Sequence, residues 1–291
     1  MARDPLTFGP KPPFPKQKQT APGEEQQMEP LPDSGLESYT GRNRLTDRVA
    51  LITGADSGIG RAIAIAFAKE GADVVITHVP GEEKDAQITV DAVTKQGRKA
   101  FALALDFSDP GTAAQAVEET VQRFGKLDIA VANAAYQRTY EKIEDISGEE
   151  FAKHYTINVG GTFVLAQAAA KHLKPGGVII NTTSIEAFEP DSNLLVYAST
   201  KAAIANLTKG LAKLLAEKGI RVNGVAPGPV WTPLIPATMP ADKVEKFGST
   251  SAFGRPAQPV ELAALYVFLA SDDASYVTGE IYGATGGRMP L

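Results

Sequence analysis

From residue 45 onward, short apolar runs rich in Val, Ile and Ala alternate with longer stretches whose apolar positions recur every three to four residues. The short runs read as strands and the longer stretches as helices. Strands are expected at 49–53, 74–77, 100–105, 128–131, 178–181, 221–225 and 280–282. Helices are expected between them at 59–69, 85–96, 112–124, 151–172, 198–217 and 259–269. Strands about 25 residues apart, each separated by a helix, predict an α/β fold with one doubly wound parallel sheet of six or seven strands. There is no internal repeat and no sign of a second domain.

Before residue 44 this pattern is absent. Eight of the chain's 20 prolines fall there (Pro5, Pro10, Pro12, Pro13, Pro15, Pro22, Pro30 and Pro32), with Lys and Gln between them. Such a segment cannot form a helix or a central strand and has little apolar surface to bury. It reads either as a disordered tail or as an extended arm, residues 1–44, ahead of a catalytic domain at 45–291. In the second reading Phe8, Phe14, Leu31 and Tyr39 are the anchors, on its own or a neighbouring subunit.

Composition narrows the function. With 43% hydrophobic and 22% charged residues in 291, the chain reads as an ordinary globular protein. A net charge of −5 gives no basic footprint for nucleic acid or an anionic membrane. Three scattered histidines and no cysteine argue against a metal site and against thiol chemistry. The start of the chain lacks an apolar signal region and no stretch reaches the roughly 18 apolar residues of a membrane span, so a cytoplasmic enzyme is expected.

The first expected strand runs directly into Thr53-Gly54-Ala55-Asp56-Ser57-Gly58-Ile59-Gly60. Glycines there allow a tight turn and close approach of backbone to a pyrophosphate, whose charge is favoured at the N-terminus of the following helix. Dinucleotide sheets commonly carry an acidic residue after the second strand to bond ribose hydroxyls; here the position is His78. A 2′-phosphate is therefore not repelled, although no arginine clamps it and Asp56 works mildly against it. The balance leans to NADP over NAD. Further along, Tyr197 and Lys201 lie four residues apart at a helix start, hence on one face. Ser184 follows an apolar strand, at the carboxyl edge where such sheets bind ligands, and Asn158 lies in the long helix before it.

The G-x-x-x-G-x-G spacing, together with Asn158, Ser184, Tyr197 and Lys201 in that order, resembles the short-chain dehydrogenase/reductase family over about residues 45–287. Relatives that epimerise nucleotide sugars use a different glycine spacing. The resemblance implies a catalytic tetrad and a hydride transfer between a nicotinamide dinucleotide and a carbonyl or alcohol substrate. It assigns cofactor contacts to Gly54, Asp56, Ser57, Gly58, Ile59, Gly60, His78, Asp106, Asn133, Tyr197, Lys201, Pro227, Gly228, Val230 and Thr232. The family's Asn-Asn-Ala-Gly reads Ala132-Asn133-Ala134-Ala135 here, so its first Asn and its Gly are missing. The irregular stretch at about 233–255 is similar to the family's substrate lid, with Tyr136, Gln137, Glu186, Phe188 and Trp231 expected in the pocket. The motifs around residues 14–19, 225–233 and 275–279 resemble a bacterial branch of glucose/ribitol-type dehydrogenases and NADP-dependent aldehyde reductases. That branch implies a homotetramer, and the small residues 166–170 would allow close helix packing at its interface.

The chemistry implied for the tetrad rests on ionisation. A free phenol has a pKa near 10, and lowering it by about three units takes roughly 4 kcal/mol. Lys201 would supply this and bond the nicotinamide ribose, Tyr197 would move the proton, Ser184 would hold the substrate oxygen, and Asn158 would anchor a water. The competing expectation is a non-catalytic dinucleotide-binding sensor or stress-associated protein.

Overall fold

The computed structural model describes residues 4–288; the first three positions of the arm and the last three of the catalytic unit, 289–291, lie outside it. Seven strands form one sheet: β1 (Val49–Ile52), β2 (Asp73–His78), β3 (Ala100–Ala104), β4 (Ile129–Ala132), β5 (Val178–Thr182), β6 (Arg221–Pro227) and β7 (Ile281–Ala284). All pairs are parallel, in the order β3-β2-β1-β4-β5-β6-β7. The order reverses between β1 and β4, which opens a crevice at their carboxyl ends. The helices are α1 (Gly58–Lys69), α2 (Glu83–Thr94), α3 (Thr112–Phe124), α4 (Gly148–His154), α5 (Gly161–His172), α6 (Leu195–Leu215), α7 (Leu234–Thr238), α8 (Ala241–Glu245) and α9 (Pro259–Ala270). Among the described residues no helix is long and apolar enough to cross a membrane.

The sheet is covered on both faces, which is why its strands read as continuous apolar runs. Ala50 and Ile52 of β1 pack with α1, α2 and α9, whereas Leu51 between them packs with α3, α5 and α6. Element positions agree with the sequence pattern to within a few residues, with one exception. The helix expected at 151–172 is interrupted by a π turn at Tyr155–Gly160, which separates α4 from α5. The small residues at 166–170 also differ from expectation. Ala166, Ala168 and Ala169 are buried in the core beside α3, so they are spent within the subunit rather than offered to a neighbour.

The arm lies along its own subunit. Phe14 and Met28 are buried in a cluster with Trp231, Ile235 and Val244, and Phe8 packs against the core that holds α1 and α9. Asp33 exchanges bonds with the start of α9, its N–H donating to Gln258 Oε1 (2.8 Å) and its carbonyl accepting Val260 N–H (3.0 Å). Leu31 does not act as an anchor. Its neighbour Pro30 turns its carbonyl inward to the Trp231 indole (2.7 Å), and Leu31 is left 56% exposed.

The arm's far end closes on Glu70, a fully buried carboxylate at the end of α1. Tyr39 donates its hydroxyl to it (2.6 Å), Arg44 reaches it through Nη2 (2.8 Å), and the N–H groups of Arg42 and Arg44 add two more bonds (2.8 and 3.0 Å). Burial opposes the charge, but these donors outweigh it and hold the carboxyl down at about 2, while burial and Glu70 push the Tyr39 phenol up to about 12. A carboxylate depressed in the folded state stabilises the protein above its unfolded pKa and loses that contribution as pH falls through the folded value. Glu70→Gln is therefore expected to lower stability by up to about 3 kcal/mol at pH 7, from the size of the depression. Urea unfolding from pH 7 to about pH 3 should show the difference shrinking below about pH 4.5; a pH-independent difference would contradict this account.

Candidate active site

The crevice is built around the turn from β1 to α1. Gly54 and Gly58 have φ of +60° and +54°, in the left-handed region that a side chain strains. A Cβ on Gly54 would approach the Ala134 Cα to 2.9 Å. Asn133 fastens this turn: its Nδ2 donates to the Thr53 and Gly54 carbonyls (3.1 and 2.8 Å), and its own N–H donates to Thr53 Oγ1 (2.9 Å). The first intrahelical bond of α1 runs from Arg61 N–H to the carbonyl of Ser57 (3.0 Å). The amides of Ile59 and Gly60 precede it, at the positive end of the helix, where an anionic phosphate is favoured.

Across the crevice runs the loop after β6. Gly228 N–H donates to the Ala284 carbonyl (3.0 Å), and Val230 is bridged to Ala257. The Thr232 methyl faces the glycine turn, 3.1 Å from where a Cβ on Gly58 would lie. Pro227 ends β6 at the same edge. Left-handed glycines, unbonded helix amides and a facing threonine fit a dinucleotide's pyrophosphate and amide groups.

The edge around the ends of β2 and β3, where the sequence reading expects the adenosine, is more acidic than that reading implied. Asp56 is buried, and burial pushes its carboxyl up. Glu82 is driven up to about 8 by burial and by the charges of Asp56 and Asp85. His78 ends β2 as a buried residue; its Nδ1 lies 2.9 Å from the Val79 carbonyl, which can only accept, so Nδ1 carries the proton. Asp106, on the same edge after β3, is exposed and accepts Ser108 N–H (2.8 Å) in a local turn.

The four residues at 158, 184, 197 and 201 converge at the carboxyl end of β5, all of them buried. Tyr197 and Lys201 stand one turn apart on α6. Lys201 Nζ donates to the Thr182 carbonyl (2.9 Å) and lies 5.4 Å from the Tyr197 ring centre. The Ser184 hydroxyl favours the ionised form of the Tyr197 phenol, and its Oγ accepts Glu186 N–H (3.1 Å). Asn158 occupies the π turn, a feature common where helices carry function. Its Oδ1 accepts Tyr136 N–H (2.7 Å), and its Nδ2 donates to the Tyr136 carbonyl (2.9 Å) and Thr200 Oγ1 (3.0 Å). Thr200 in turn donates to the Tyr197 carbonyl (2.6 Å), so Asn158 is tied to the helix that carries the tyrosine.

Burial sets the electrostatics. It pushes the Tyr197 phenol up, with Ser184 opposing and Glu186 adding, and it lowers the Lys201 amine to about 7. Burial also pushes Glu186 up. An ammonium has three donors, and Lys201 directs one of them to Thr182.

Of the expected pocket residues, Tyr136 and Glu186 flank the tetrad, and Gln137 donates to Thr238 Oγ1 (2.8 Å) at the end of α7. Phe188 packs beside Ala205, Ala226 and Ile281. Trp231 does not line a pocket: it is fully buried, stacked on Phe14 with ring centres 4.3 Å apart, and its N–H is held by Pro30. The sequence reading ranked it by its place in the loop after β6, whereas the arm covers it. Two residues escaped that reading. Tyr266 of α9 places its hydroxyl 2.8 Å from Thr182 Oγ1, directly behind Lys201's acceptor; the one signal is a hydroxyl in a helix that is apolar after Glu261. Glu25 of the arm reaches the glycine turn, and nothing in its Glu-Glu-Gln-Gln surroundings distinguishes it.

Known proteins resemble this chain over most of its length. A family model described as enoyl-(acyl carrier protein) reductase matches residues 54–288. The chain is 50% identical to an uncharacterized oxidoreductase, YhdF, of Bacillus subtilis (strain 168), over 94% of this chain and 95% of that protein. It is 46% identical to NADPH-dependent aldehyde reductase 1, chloroplastic, of Arabidopsis thaliana, over 94% and 98%. A crystal structure of a short-chain dehydrogenase from Burkholderia cenocepacia J2315 in complex with NADP superposes with a TM-score of 0.78 at 35% identity, covering 84% of this chain and 98% of that one. Sheet order, glycine turn, buried Tyr–Lys pair and these likenesses coincide in one chain, which belongs to the short-chain dehydrogenase/reductase family.

Proposed function

We propose that the chain reduces aldehydes or related carbonyls, and oxidises the corresponding alcohols, with NADP(H) in preference to NAD(H). The observation that carries this is Lys201, buried and 5.4 Å from the ring of Tyr197, with Ser184 buried at the same carboxyl end of β5. When bound, the dinucleotide supplies or takes the hydride. Tyr197 donates a proton to the substrate oxygen in reduction and removes it in oxidation. Its raised pKa keeps it protonated at rest, the form reduction needs. The Lys201 ammonium stabilises the phenolate left behind, and its two remaining donors suit ribose hydroxyls. Ser184 holds the substrate oxygen, and Asn158 keeps the 136 loop on α6. The preference for NADP is supported by His78 in place of a carboxylate, by the NADPH dependence of the Arabidopsis aldehyde reductase and by the NADP in the Burkholderia structure.

The assembly we favour is a homotetramer, supported by exposed apolar side chains on the flanking helices, Phe151, Phe163, Leu195 and Leu214. A cytoplasmic setting is supported by the absence of cysteine.

Tyr197→Phe is expected to lower turnover of an aldehyde at least about 10³-fold while NADPH binding persists. Near wild-type turnover of that variant would remove the assigned role. NADH run in parallel should give the lower kcat/KM. Because Lys201 is charged below about 7 and neutral above it, kcat/KM for reduction should fall as pH rises through that value. A profile flat between about pH 6 and 9 would contradict this assignment.

A further inference from the structure

The arm is bonded to both sides of the proposed site. Glu25 is buried, and its Oε2 accepts the N–H of Gly58 in the glycine turn (2.5 Å). Its Oε1 accepts Arg61 Nη1–H (2.6 Å) and the Ser34 hydroxyl (3.0 Å). Arg61 extends the anchor to Asp85 (3.0 Å) and to the Asp56 carbonyl through Nε (2.8 Å). Eleven residues earlier in the arm, Phe14 stacks on Trp231, and its N–H donates to the Glu245 carbonyl of α8 (2.9 Å). Gln19 N–H donates to the Pro236 carbonyl of α7 (3.0 Å).

We infer that Glu25 and Phe14 are positioning residues for the reaction, Glu25 holding the glycine turn for the dinucleotide and Phe14 holding the lid α7–α8 for the carbonyl substrate. This rests on the function proposed above. Every partner of the Glu25 side chain is a donor and both of its oxygens accept, so only a carboxylate satisfies the site. A glutamine would turn its NH₂ toward a donor whichever way it sat, leaving one bond broken. A turn built on left-handed glycines has little stiffness of its own and takes it from such anchors. The lid is equally dependent. Its helices, α7 and α8, have five residues each, too short to persist without outside contacts. Phe14 supplies them through Trp231, and on the other side Gln137 and Thr139 bond Thr238.

A general brace would behave differently, since weakening it anywhere would lower stability and shift both binding constants together. The test uses the full chain with Glu25→Gln and Phe14→Ala, and Phe14→Leu as the conservative partner. It measures NADPH affinity by fluorescence titration without substrate, KM for an aldehyde that the wild type reduces, and the emission of Trp231, the single tryptophan. Glu25→Gln should weaken NADPH binding about tenfold and change the aldehyde KM by less than about twofold. Phe14→Ala should raise the aldehyde KM about tenfold, red-shift the Trp231 emission and leave NADPH affinity within about twofold. Phe14→Leu should keep part of the effect, raising the aldehyde KM about threefold with NADPH affinity unchanged within about twofold, and it carries the test if the alanine variant does not fold. Variants that move both constants together, or neither, overturn the inference while an active wild type keeps the function intact. A wild type that binds NADPH but reduces no aldehyde overturns the proposed function instead, and NADPH affinity with Trp231 emission then decides the inference. A wild type that does neither overturns both.

Discussion

Helix α1 comes so close to the turn before it that a Cβ at Gly60 would lie 2.1 Å from the Gly54 carbonyl. That approach brings the helix's positive end to the crevice, and much of the surrounding structure serves to keep it there. Asn133 ties the turn to β4, and the arm grips the helix at both ends with a buried carboxylate on each side of the contact. The two carboxylates are not equivalent. Glu25 sits at the N-terminus, where the helix dipole favours negative charge. Glu70 sits at the C-terminus, where the dipole opposes it, and it is the one that gathers Arg44, Tyr39 and two backbone donors. Lys69, beside it, has the favourable sign there and donates to the Leu36 and Tyr39 carbonyls (2.6 and 2.8 Å).

Thr182 joins the two halves of the site. Because Asn133 spends its amide donors on the glycine turn, its Oδ1 is left as acceptor for the Thr182 hydroxyl (3.3 Å). With that proton committed, the Tyr266 hydroxyl must donate to Thr182 Oγ1. The Thr182 carbonyl, meanwhile, takes Lys201. A directed chain of hydrogen bonds thus runs from α9 to the glycine turn, and the lysine hangs from its middle link. Such chains gain strength from mutual polarisation in a buried setting.

The strands were legible because burial on both faces leaves an apolar run that nothing else of that length produces, as at β1 and β5. The convergence of Asn158, Ser184, Tyr197 and Lys201 was legible because Tyr197 and Lys201 share a helix face and Ser184 follows a buried strand. What escaped the sequence depends on partners far along the chain. The π turn has no proline or glycine pair at its centre; its sequence, Tyr-Thr-Ile-Asn-Val-Gly, is compatible with an ordinary helix, and the bonds of Asn158 to Tyr136 and Thr200 are what accompany the bulge. Trp231 was misplaced, and Leu31 with it, because a tryptophan in a loop beside a crevice looks like a pocket wall until the arm that buries it is known. The alanines at 166–169 suit any close helix contact, and α3 is the one they meet.

Some of the arm's partners lie at the ends of α1, but others lie close to the other end of the chain. Pro5 offers its carbonyl to Arg255 (2.8 Å), Pro30 to Trp231, and Asp33 its N–H to Gln258, across 250, 201 and 225 residues of chain. During synthesis, therefore, Glu25 and Tyr39 can meet α1 early, but the stretches around Pro5, Phe14 and Pro30–Asp33 lack their partners until the chain is almost complete, and contacts of such separation close slowly. A segment that must wait exposed is served by low apolar content and by prolines that neither form helix nor pair as strands. The composition that makes the arm look like a disordered tail is what such an interval requires.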